Sequence, residues 1–77
     1  MGSTAFGLAL LVGRLERERS ADACIRVVQA LGYGLVVEPG RMQLEVPGSR
    51  FVSVYFQLDA LVDDVLAAGR SALGWKS

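Results

Sequence analysis

From Arg41 to Val46 polar and apolar residues alternate without a break: Arg, Met, Gln, Leu, Glu, Val. A period of two puts Met42, Leu44 and Val46 on one face of a strand and Arg41, Gln43 and Glu45 on the other. This pattern belongs to a sheet with one covered and one wet face. Apolar runs flank it on both sides. Leu35–Glu38 precedes it across Pro39-Gly40, and Phe51–Gln57 follows it across Pro47-Gly48-Ser49-Arg50. Pro and Gly at these places predict tight turns. Gly34–Gln57 therefore predicts a three-stranded antiparallel meander. Carrying the alternation into strand three assigns Val52, Val54 and Phe56 to the core face. Phe51, Ser53, Tyr55 and Gln57 then face outward.

The flanking segments follow a period near 3.6. In Ser20–Leu31 the apolar stripe is Cys24, Val27, Val28 and Leu31, with Ser20 as N-cap and Asp22 in the first turn. Gly32 and Gly34 supply the stop. Leu58–Leu73 repeats the pattern with Leu61, Val62, Val65 and Leu66. Asp59, Asp63 and Asp64 lie toward its start, Arg70 toward its end, and Gly69 marks either a break or a close helix contact. Ser3–Arg19 reads two ways. Leu8, Leu11, Val12 and Leu15 fit a helix capped by Ser3 or Thr4, whereas Phe6, Leu8, Leu10 and Val12 alternate like a strand. Gly7 and Gly13 each cost a helix about 1 kcal/mol. The predicted fold class is α+β: a three-stranded antiparallel sheet with helices packed on one face, in the order ααβββα, with βαβββα as the alternative.

At 77 residues the chain is one small domain, residues 1–77. Met1-Gly2-Ser3 has the look of an expression-tag remnant and residues 75–77 form a tail. Hydrophobic residues make up 52% of the chain and charged ones 21%. A domain this small buries only about 60% of the surface its unfolded chain exposes. Some apolar side chains are therefore expected outside the monomer core, which points to a partner.

Charge and chemistry narrow the function further. Net charge is +0, which supplies no electrostatic footprint for nucleic acid. Histidine is absent, and with it the commonest general base near neutral pH and the commonest zinc ligand. Cys24 is the single cysteine and reads as a small buried hydrophobe in a reducing, cytoplasmic setting. Ser20, Ser49 and Ser53 lack a histidine to activate them. The acidic group Asp59, Asp63 and Asp64 does not fit a calcium loop. Arg14, Arg17 and Arg19 are interleaved with Glu16 and Glu18. Gly32-Tyr33-Gly34 runs into a strand, the wrong order for a phosphate cradle. The apolar run Ala5–Gly13 is shorter than the roughly 20 residues that span a bilayer.

No catalytic residue, cofactor or metal is therefore expected, and neither nucleic acid nor membrane is an expected partner. The expectation is a small non-enzymatic regulator or adaptor that docks onto protein, as a homodimer or with another chain. A small DNA-binding transcriptional regulator is the alternative. The predicted partner-binding residues are Phe51, Ser53 and Tyr55, with Trp75 beside them, because aromatic side chains carry much of the energy of recognition surfaces.

Overall fold

The structure, a computed structural model, describes the backbone of residues 2–74 and the side chains of residues 7–74. Six elements follow in the order α1 (Gly2–Glu18), α2 (Ala21–Leu31), β1 (Gly34–Glu38), β2 (Arg41–Glu45), β3 (Val52–Tyr55) and α3 (Leu58–Ala72). The fold is α+β, and the first segment is the helix of the two readings. The expected caps at Ser3 and Thr4 lie outside the described side chains.

Each helix buries the stripe its period marked. On α1, Val12 and Leu15 are fully buried, with Leu8 and Leu11 packed against the core. Arg19 ends this helix in the left-handed region, at φ 46°, and its amide donates to the Leu15 carbonyl at 2.8 Å. The next residue starts α2: the Ser20 Oγ accepts from the Ala23 amide at 3.2 Å. Gly32, at φ 78°, closes α2. Its amide donates to Gln29 and that of Tyr33 to Val28, the paired bonds of a Schellman motif.

The three helices meet around Gly69. A Cβ built there would stand 2.7 Å from Val12 Cγ2 and 3.5 Å from Val27 Cγ1. Only glycine lets α3 approach α1 and α2 this closely, so Gly69 marks a helix contact and not a break. Leu61, Val62, Val65 and Leu66 complete the core on α3.

The sheet has order β1-β2-β3, all antiparallel. Glu38-Pro39-Gly40-Arg41 is the first turn, with Gly40 at φ 76°. Proline at the second turn position and a positive-φ glycine at the third are what a type II turn requires. A Glu38–Arg41 ion pair of 2.8 Å closes it. The inner face presents Met42, Leu44 and Tyr55, all buried, to the helices.

Strand three corrects the expected facing. The register pairs Met42 with Tyr55 and Leu44 with Ser53, so Tyr55 and Ser53 share the inner face. Val52 and Val54 point outward, opposite Glu45 and Gln43. Phe56 lies beyond the strand and is exposed rather than in the core. A shift of one residue moves every side chain of a strand to the other face. Here the shift comes from the connection: Val46–Phe51 leaves Glu45 opposite Val52, and that pairing reverses the parity the alternation of strand two suggested.

Candidate docking surface

The outer face of the sheet carries two rows of paired residues. One is Val36–Gln43–Val54 and the other Gly34–Glu45–Val52. The helices pack against the inner face, so the three valines remain open to water, between 41% and 47% exposed. Phe51 and Phe56 flank β3 at either end, 82% and 73% exposed. These are most of the large apolar side chains that the described residues expose.

The backbone of β3 adds to this. It is an edge strand, with β2 on one side only. Val52, Ser53, Val54 and Tyr55 include no charge and no proline, the usual guards of a sheet edge. Just ahead of it, the Ser49 Oγ accepts from the Phe51 amide and its hydroxyl donates to the Phe51 carbonyl, both at 3.2 Å. This small closed loop holds the entry to the strand while leaving the Phe51 ring outside.

Of the predicted site residues, Phe51 and Ser53 are exposed and Tyr55 is not. Tyr55 is 9% exposed, and its hydroxyl donates to Asp64 on α3 at 2.5 Å. Burial first, and the bond to Asp64 second, raise the Tyr55 pKa above its ordinary value of 10.0. Its ring therefore fastens β3 to α3 and is not free as a contact. Trp75 lies outside the described residues. The residues that sequence reasoning placed in the core, Val52, Val54 and Phe56, stand on the surface instead. The parity of the loop between β2 and β3 is the signal that could have found them.

The other groups singled out for chemistry are held in structural contacts. Arg19 reaches across from the end of α1 to Asp63 at 2.9 Å and Asp59 at 3.4 Å. Arg14 pairs with Glu18 at 2.7 Å and Asp22 at 3.0 Å, and Arg70 with Glu16 at 2.7 Å. With Arg41 on Glu38, four arginines are neutralised by neighbouring carboxylates. Arg17, Arg26 and Arg50 have no ion-pair partner among the described residues, and they sit on different elements or loops. Cys24 is fully buried, and burial pushes its thiol up to about 11. A thiol so protonated is a poor nucleophile at neutral pH. No pocket and no cluster of metal-ligating side chains occurs among the described residues. No helix among them is long and apolar enough to cross a membrane.

No protein family, curated protein or solved structure matches this chain.

Proposed function

We propose that this protein is a small non-enzymatic regulator or adaptor. It acts by docking onto protein through the β3 side of its sheet, in a reducing, cytoplasmic setting, and a second copy of itself is one such partner. The observation that carries the reading is the exposure of Phe51 and Phe56 beside the open valine face. Water-facing phenylalanines are costly to keep unless something covers them. The alternative of a DNA-binding regulator draws less support, because the neutralised arginines leave no basic patch.

The test replaces Phe51 and Val54, which the core does not use. Phe51→Ala with Val54→Asp is expected to keep the circular dichroism and melting temperature of the wild type. Affinity for a bound protein should fall by about 2 kcal/mol, some 30-fold in Kd. If a purified partner binds the double variant as tightly as the wild type, this surface is not the docking site. Retention on nonspecific duplex at low salt, lost as salt rises, would favour the DNA reading instead.

A further inference from the structure

The segment Phe51-Val52-Ser53-Val54-Tyr55 reads the same in both directions by chemical class: aromatic, valine, serine, valine, aromatic. It coincides with the uncovered edge strand. We propose that two copies of this chain join edge to edge through β3, antiparallel about a two-fold axis at Ser53, into one continuous six-stranded sheet. The inference rests on the docking reading above and names its occupant and geometry.

A two-fold interface must be self-complementary: whatever residue i meets on its mate, that residue must meet i in return. With the axis at Ser53, Val52 lies opposite the partner's Val54, and Phe51 opposite the partner's Tyr55. Facing agrees as well as chemistry. Residues directly opposite in an antiparallel pair lie on the same side of the sheet. Val52 and Val54 both point outward, while Ser53 and Tyr55 both point inward. The pairing therefore extends the outer valine row across the axis. It sets the exposed Phe51 opposite Tyr55, whose ring stays buried and fixed by Asp64.

One step further out, Arg50 falls opposite the partner's Phe56. A guanidinium over a phenylalanine face is an attractive contact. Arg50 and Phe56 are both exposed, and Arg50 has no ion-pair partner among the described residues. Between residues 50 and 56 no like charges lie opposite each other.

Two further observations single out this edge. The other edge strand, β1, is guarded: it closes on Glu38, the Glu38–Arg41 ion pair and Pro39. The helix beside β3 also leaves room. The α3 surface around Asp64 is built from small exposed residues, Ala60, Ala67 and Ser71, which stand at helical spacing. Two phenylalanines, two valines and the backbone of β3 line the seam in each copy.

Single-cysteine cross-linking tests the register. Directly opposite residues lie about 4.5–5.5 Å apart between Cα atoms, within the span of a disulfide. Ser53→Cys, mildly oxidised, is expected to give a covalent dimer with native circular dichroism, and Gln43→Cys is expected to stay monomeric on denaturing gels. Cys24, buried and protonated, does not compete. Ser53→Asp sets two carboxylates face to face and should weaken the dimer about tenfold or more by sedimentation.

A wild-type dimer that links through Gln43→Cys and not Ser53→Cys would mean that the outer faces stack. That result overturns the edge pairing and leaves the docking reading intact. A wild type that stays monomeric at about millimolar concentration, a thousandfold above a micromolar Kd, also overturns it. Docking to another protein would then be judged by the Phe51 and Val54 double variant alone.

Discussion

Valine occurs in two settings in this molecule, and the contrast between them shows what burial depends on. Val62 and Val65 on α3 are almost wholly buried among Val12, Leu15 and Leu61. Val52 and Val54 on β3 are the same residue type a few positions earlier in the chain, and nearly half of each faces water. Intrinsic hydrophobicity does not separate them. The three helices pack on each other, and α2 and α3 meet the sheet on a single side, so only alternate strand residues receive a cover. Met42, Leu44 and Tyr55 on the inner face are part of the core, and their immediate neighbours in sequence are not.

The sharpest way to break this comparison is to truncate one residue in each setting. Leu61→Ala empties space in a closed core and should lower stability by about 2–5 kcal/mol. Val54→Ala should stay within about 0.5 kcal/mol, because its site is already wet. Denaturant titration on the two variants checks both, at a protein concentration below any self-association. A large loss from Val54→Ala in the monomer would show that the outer face is structurally required.

Gly69→Ala comes next. Helix propensity favours alanine by up to about 1 kcal/mol, but the added carbon meets Val12 at 2.7 Å inside the packed helices. The clash should win, with a net loss of about 1–3 kcal/mol. Val12→Ala in the same chain is expected to recover part of it, since the two residues share one contact.

Tyr55→Phe removes the hydroxyl that binds Asp64 and should cost about 1 kcal/mol. Alkaline titration probes the same contact. The folded state raises the pKa of both Tyr55 and Cys24, so each contributes stability that is fully present below its unfolded value. For Cys24 that contribution drains away as pH rises from 9.0 to about 11. Tyr55 adds to the loss above 10.0. The melting temperature should fall through this window, and the fall should be shallower in Cys24→Ala. The smallest effect is expected from Arg19→Ala. Its pairs with Asp59 and Asp63 are exposed, so any stabilisation they give should shrink toward nothing near 1 M salt.

Much of the fold is legible in local chemistry. Ser20 caps α2, the positive-φ Gly32 ends it, Pro39-Gly40 turns the chain, and the 3.6-residue stripes on the helices are the ones that become buried. These features depend on a few neighbouring residues, and backbone sterics allow each one a small set of conformations. The docking surface is less legible. Strand three offers Val52, Val54 and Phe56 on one parity and Phe51, Ser53 and Tyr55 on the other, and neither set is polar enough to declare itself outward.

The sequence by itself determined the kinds of element, their order and the helix faces that turn inward, because those rest on contacts a few residues apart. Only the tertiary structure decided which side of β3 meets the helices. That choice was made by the pairing of Glu45 with Val52 across a six-residue connection and by the reach of the Tyr55 hydroxyl to Asp64. It also decided that Gly69 admits Val12 and that Arg19 gathers Asp59 and Asp63. Each of these joins parts of the chain far apart in sequence, and a periodic pattern holds no information about which distant partner a residue will meet.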